Sequence, residues 1–201
     1  MADLADVERC SDWIASAEAA LGPIDVLVNN AGSTLVRRFV DTGLEDADHL
    51  LRLDLITPLR LTRAVLPGMI ARGRGTIVDV CSAAAFAALL GTTYYAAAKA
   101  GLAAASEVLR GELRGTGVHV VTVYPGPVRT AMSAQAFDSY GESWTKRLVS
   151  EGSPEKLARQ IRLAIERRRP RVMFPASYAV VRHMPDTARW VLDRLSPPIR
   201  T

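Results

Sequence analysis

Tyr95 and Lys99 stand four residues apart in the run Tyr95-Ala-Ala-Ala-Lys99. On a helix that spacing puts both side chains on one face, about one turn apart. An ammonium beside a phenol favours the phenolate and draws the tyrosine pKa from about 10 toward neutrality, which suits the phenol to exchange a proton with a carbonyl or an alcohol. Tyr94 cannot take its place, because the residue four further on is Ala98. The chain has only three lysines, Lys99, Lys146 and Lys156, among many arginines. A lysine set in an alanine-rich helix therefore points to chemistry that needs a compact ammonium. Alone, such a pair is as readily surface or core packing. Ser82 adds weight, because it directly follows an apolar run and its hydroxyl is placed to hydrogen-bond a substrate oxygen. A strand-end serine that satisfies local backbone groups is the plainer alternative.

The elements that must position these residues alternate short apolar runs with longer amphipathic stretches, the pattern of an α/β domain with a parallel sheet. Strands are predicted at residues 24–28, 76–81, 118–123 and 172–174, and helices at 45–71 and 93–113. The longer of these carries apolar residues at Leu51, Leu55, Leu59, Val65 and Met69. Ser82 then falls at the carboxyl edge of the second strand, where open parallel sheets hold their ligands. Ser153-Pro154-Glu155 reads as an N-cap, a first-turn proline and an acid matched to the helix dipole, opening a helix to about residue 168. Residues 131–152 show no clear period, and an amphipathic tail runs over 189–195. One domain is expected over 1–201, with a substrate lid and its following helix at 131–170 and the last strand and tail at 171–201. Phe137, Tyr140 and Trp144 are candidates for the lid, or for anchoring that segment to the core.

Composition narrows the class. With 201 residues, 49% of them hydrophobic, the chain can bury one sizeable core. Its net charge of +4 is scattered, with no basic run longer than Arg167 to Arg169, so no nucleic-acid partner is expected. The alanine-rich stretch 83–105 reads as a buried helix, because Thr92, Thr93, Tyr94, Tyr95 and Lys99 interrupt it. It falls short of the ~18–20 apolar residues of a membrane span. A tail containing Trp190 could meet a membrane surface, but packing on the domain or a sister subunit is the expectation. The two cysteines, Cys10 and Cys81, lie far apart, and the first eight residues lack a secretory pattern. A reducing, cytoplasmic setting is expected. His49, His119 and His183 show no ligand spacing, so no metal is expected.

Taken together, Asn29-Asn30-Ala31-Gly32, the run Gly75-Thr-Ile-Val-Asp-Val-Cys-Ser82, Tyr95-Ala-Ala-Ala-Lys99 and Pro125-Gly-Pro-Val-Arg-Thr130 resemble the short-chain dehydrogenase/reductase family in order and spacing. The resemblance covers residues 3–130 well and the rest more loosely. It implies a Rossmann-like, doubly wound parallel sheet, an NAD or NADP cofactor, and hydride transfer with a carbonyl or secondary alcohol of a small, apolar substrate. It implies that Tyr95 is the general acid/base, that Lys99 holds the nicotinamide ribose and lowers the tyrosine pKa, and that Ser82 orients the substrate oxygen. Asn29, Asn30, Ala31 and Gly32 would shape the cofactor wall and brace the sheet. Pro125, Gly126, Val128 and Thr130 would line the nicotinamide end. Asp3, ending a strand, would sit by the adenine. A homodimer or homotetramer through the two long helices is implied as well.

Two departures stand out. The family pattern Asn-Leu-x-Gly is matched by Asp54-Leu-Ile-Thr-Pro58, which puts a carboxylate where the family has an amide. Asp54 can accept a hydrogen bond in a proton relay near Lys99 but, ionised, cannot donate one. The second departure concerns the family's opening strand, Gly-rich phosphate turn and helix, which have no counterpart here, so the fold is expected to be incomplete at its N-terminus with the first βαβ region missing. Gly111-Glu-Leu-Arg-Gly115-Thr-Gly117 matches the glycine spacing but follows a helix and precedes a strand. It is read as a helix-ending turn. The strand at 24–28 then becomes an exposed apolar edge. An alternative to the enzyme is an inert scaffold that keeps the two long helices and binds no dinucleotide.

Overall fold

In the computed structural model, which describes residues 3–141 and 151–199, the short β-branched runs associate side by side. Strands β1 (Val26–Asn29), β2 (Gly75–Val80), β3 (Val118–Pro125) and β4 (Arg171–Phe174) form one parallel sheet in the order β1-β2-β3-β4. The register sets Val28 opposite Val78, Val78 opposite Val121 and Val123 opposite Val172. Side chains alternate across a strand. Leu27, Ile77 and Val120 accordingly enter one core, while Val78, Val121 and Val123 enter another.

The helices are α1 (Trp13–Leu21), α2 (Leu44–Leu51), α3 (Thr57–Ala71), α4 (Thr93–Glu112), α5 (Ala131–Asp138), α6 (Pro154–Glu166), α7 (Ala179–His183) and α8 (Pro185–Leu195). Leu61, Val65 and Met69 of α3 and Ile14 of α1 close the first core, and Leu102 and Ala103 of α4 pack on Cys81 and Tyr124 beside it. Leu157, Ile161, Ala164 and Ile165 of α6 close the second. Helices on both faces of a parallel sheet make this a Rossmann-like α/β fold. Ser153 caps α6 as expected, its hydroxyl accepting from the Lys156 amide at 3.2 Å.

Among the described residues β1 pairs with β2 alone. Its Val26 and Val28 are 42% and 45% exposed, an apolar edge as expected. The glycine run of 111–117 turns from α4 into β3, with φ of +83° at both Gly115 and Gly117, and forms no strand-to-helix phosphate turn.

Several local expectations are corrected. The helix predicted at 45–71 is interrupted by a π-helical turn, Arg52–Ile56, between α2 and α3. Pro58 explains it: in a regular helix its ring would press on the carbonyl of Asp54, four residues back, and the wider turn relieves the contact. The interruption rotates the apolar stripe, so Leu59 is exposed while Asp54, Leu61 and Thr62 are buried. Residues 83–92 are not α-helical. The Ser82 hydroxyl takes the Ala84 amide at 3.1 Å and opens a short 3₁₀ turn, and Gly91 turns at φ +80° before α4 begins. Part of the stretch read as aperiodic is the helix α5, capped by the Thr130 hydroxyl accepting from Ser133. Asp3 ends no strand. Asp3 and Asp6 accept from the amides of Ala5 and Glu8 and wind the segment into turns.

Candidate active site

The carboxyl ends of the strands carry the site. Helix α4 presents Tyr95 and Lys99 on one face, with the Lys99 Nζ 5.9 Å from the Tyr95 ring centre. The alanines and Gly101 of this helix let neighbours approach closely; a Cβ on Gly101 would meet the Leu55 side chain at 3.3 Å. The π turn thereby lies against α4 and delivers Asp54, fully buried, to Lys99 at 3.0 Å. Asp54 Oδ1 accepts from the Ser33 amide at 2.7 Å, and Lys99 Nζ also donates to the Val80 carbonyl at 3.3 Å. Oδ2 is close to Nζ yet has no aligned hydrogen bond, so the contact is chiefly charge against charge. Gly32 is required beside them, since a Cβ there would stand 3.0 Å from Oδ2 and 3.3 Å from Nζ.

Ser82 stands two residues past the end of β2 with its Oγ accepting from the Ala84 amide, so the local backbone role is met. With an acceptor lone pair used locally, the hydroxyl hydrogen is left to donate to the Tyr95 phenol beside it or to a ligand oxygen. The tyrosine differs from expectation. Burial, the largest influence, pushes the Tyr95 phenol above its ordinary value, and the Asp54 carboxylate and Cys81 add to this. Lys99 and the Ser82 hydroxyl pull the other way without prevailing. Burial and the Asp79 charge likewise push the Cys81 thiol up, so it is no nucleophile. Tyr94 turns away and stacks on Phe39 with ring centres 5.3 Å apart.

These residues line a cavity of about 890 Å³. Asn30, Gly32, Pro125, Gly126, Val128 and Thr130 form its wall on one side. Met132, Phe137, Val181, Met184, Ala188 and Leu192, from α5, α7, α8 and the residue joining the last two, line it as well. Its only charged lining groups among the described residues are Asp54 and Lys99. Gly126 is needed for shape, because a Cβ would come within 2.9 Å of the Tyr178 ring.

Three of the expected cofactor residues do not line this cavity. Asn29 is buried beneath the wall, its amide donating to Asp79 at 2.8 Å and to Thr62 at 3.1 Å, so it braces β1 on β2 and α3. Ala31 and Asp3 are exposed and do not line the cavity. In the stretch expected to form a lid, Phe137 lines the cavity, and Tyr140 both lines it and is anchored, donating to the Leu90 carbonyl at 2.9 Å. Trp144 lies outside the described residues. Ser33 and the wall from α7 and α8 have no motif in the sequence; only the amphipathic tail read over 189–195 touches on the latter.

A support cluster behind the site also went unread. Glu107 of α4 accepts from Arg171 Nε at 2.6 Å and from the Tyr124 hydroxyl at 3.0 Å, and pairs with Arg110. Burial would raise this carboxyl, but the arginines and the phenol together hold it down at about 2. The cluster fixes Tyr124, whose ring packs on Phe86 at 4.9 Å just after Ser82.

Comparison with known proteins places this geometry. The family model described as short chain dehydrogenase matches residues 1–141. A ketoacyl reductase, HetN, from Nostoc sp. is 32% identical over 85% of this chain and 58% of its own length. A short-chain dehydrogenase from Streptomyces avermitilis superposes with a TM-score of 0.78 at 32% identity, covering 96% of this chain and 76% of that one. A short-chain dehydrogenase from Sphingobium yanoikuyae, solved in complex with NADPH, gives 0.76 at 28% identity over 96% and 73%. The chain spans 53 to 61% of the length of curated relatives at the head of the comparison.

Proposed function

The chain belongs to the short-chain dehydrogenase family, and from that premise we propose that it is an NAD- or NADP-dependent oxidoreductase acting on a carbonyl or secondary alcohol, with Tyr95 as the general acid/base. The observation that carries the reading is the convergence of Tyr95, Lys99 and Ser82 on one cavity at the carboxyl edge of a parallel sheet. The wall of Asn30, Gly32, Pro125, Gly126, Val128 and Thr130 fits the nicotinamide-ribose end of a dinucleotide, being small and uncharged beside the Lys99 ammonium. Bound there, the nicotinamide would supply or accept the hydride.

The protein's own residues handle the oxygen and the proton. The Ser82 hydroxyl, beside Tyr95, orients the substrate oxygen. In reduction the Tyr95 hydroxyl gives it a proton, and in oxidation the phenolate takes one back. Lys99 binds ribose hydroxyls and favours the phenolate. Asp54 holds Lys99 in place. The substrate body is apolar and uncharged, because no unpaired charge lines the described cavity and α5, α7 and α8 supply aliphatic and thioether surface. The name of the Nostoc relative, a ketoacyl reductase, agrees with such a body. Ile56, Leu59 and Val108, exposed on the π turn, α3 and α4, support self-association through these helices.

Titrating the full chain with NADH and NADPH and following cofactor fluorescence tests the reading. Saturable binding by one of them, with turnover of alkyl or aryl ketones in preference to keto acids, is expected. No saturable binding would assign the chain the role of an inert scaffold instead.

A further inference from the structure

We propose that Asp54 sets the pH at which Tyr95 exchanges its proton, by holding Lys99 in a buried ion pair that cancels much of the positive charge the phenolate would otherwise feel. The inference rests on the proposed role of Tyr95 but concerns the protein without cofactor. Its ground is geometric. The Asp54 carboxylate is fully buried, lies 3.0 Å from Lys99 Nζ, and is held from the other side by the Ser33 amide at 2.7 Å. The π turn enforced before Pro58 leaves it little freedom to retreat. Lys99 is itself only 5% exposed, so water does little to screen either charge.

Among the described residues the groups that face Tyr95 are few. Lys99 comes from its own helix, Asp54 from the π turn, and Cys81 and Ser82 from the end of β2. Asp79, deeper in β2, acts on Lys99. Of the two charged groups closest to the phenol, one favours the phenolate and one opposes it, where an amide at position 54 would leave the lysine unopposed. Burial already holds the phenol above its ordinary value, and Asp54 adds to that direction. The working pH therefore lies higher than a lone ammonium would place it. Such a setting favours reaction toward the carbonyl at alkaline pH, because alcohol oxidation releases a proton and needs the phenolate as base.

The test is Asp54→Asn, which keeps the shape and the acceptor for Ser33 but removes the charge. Phenolate absorbance of Tyr95 is read in the cofactor-free protein as the difference between each protein and its Tyr95→Phe counterpart across a pH titration. The Tyr95 midpoint is expected to fall by about 1 pH unit or more in Asp54→Asn. Lys99→Met should move it the opposite way. Asp54→Ser provides the same reading should Asp54→Asn fold poorly. An unchanged midpoint in folded Asp54→Asn or Asp54→Ser would overturn the inference and leave Asp54 as a brace. If the chain binds cofactor, the pH–rate profile of Asp54→Asn should shift to lower pH by the same amount. If it binds none, the proposed function fails while the titration still decides this point.

Discussion

Helix α4 takes part in two carboxylate–cation clusters, and they are built to opposite ends. Glu107 faces Arg110, Arg171 and the Tyr124 hydroxyl, so both its oxygens are hydrogen-bonded at a partly exposed rim. Asp54 faces Lys99 in the buried site, with one oxygen bonded to Ser33 and the other lacking an aligned partner. The first is saturated and holds the sheet edge to the helix. The second is under-bonded and fully buried at the cavity wall, which is where a protein can keep charge available for chemistry.

Removing the cation from the buried cluster should have the largest effect on stability. Lys99→Met leaves Asp54 buried and unpaired, and urea unfolding should show a loss of about 3–5 kcal/mol. Adding Asp54→Leu should recover most of it, because the uncompensated charge is then gone. If the single substitution costs less than about 1 kcal/mol, the two clusters are not different in kind.

The rim cluster should respond more mildly. Glu107→Gln should cost about 1–2 kcal/mol at neutral pH, since the pairing is partly screened by water. The sign with pH is set by a carboxyl held down at about 2 against an ordinary 4.5. Its contribution is present above 4.5 and lost as pH falls toward 2. The variant should therefore lose part of the acid dependence of stability in that window, which denaturant midpoints between the two pH values would reveal. It should leave the Tyr95 midpoint where it was.

Asp79 offers the smallest and sharpest contrast. Burial raises its carboxyl, although the Asn29 amide opposes this. A carboxyl raised in the folded state stabilises most below its unfolded pKa, and the contribution fades as pH rises through the folded value. Asp79→Asn removes that penalty while its amide oxygen can still accept from Asn29. Thermal unfolding near neutral pH should show equal or slightly higher stability, by up to about 1 kcal/mol. A large loss would mean that Asp79 is held as a needed charge, like Asp54.

The same contrast explains what could be read from the chain alone. The four strands and α4 were legible because β-branched runs and alanine-rich periodicity act locally. Tyr95 and Lys99 were legible for the same reason, being four apart on one helix. Asp54 was visible as a departure, yet its ion pair depends on a π turn that only the clash of Pro58 with the preceding turn reveals. Asn29 was singled out, but its burial under Asp79 and Thr62 is a product of sheet packing. Glu107 and Arg171 are separated by 64 residues, and no local pattern joins them. Tertiary burial also reversed the direction expected for the Tyr95 phenol, since spacing conveys the lysine but neither the loss of water nor the carboxylate behind it.

The most direct measurement is turnover of an apolar ketone with the preferred nicotinamide cofactor by the wild-type chain and by Tyr95→Phe, with cofactor affinity measured on both. The account predicts a fall of about a hundred- to ten-thousand-fold in turnover with affinity nearly unchanged. Turnover retained by Tyr95→Phe would contradict it.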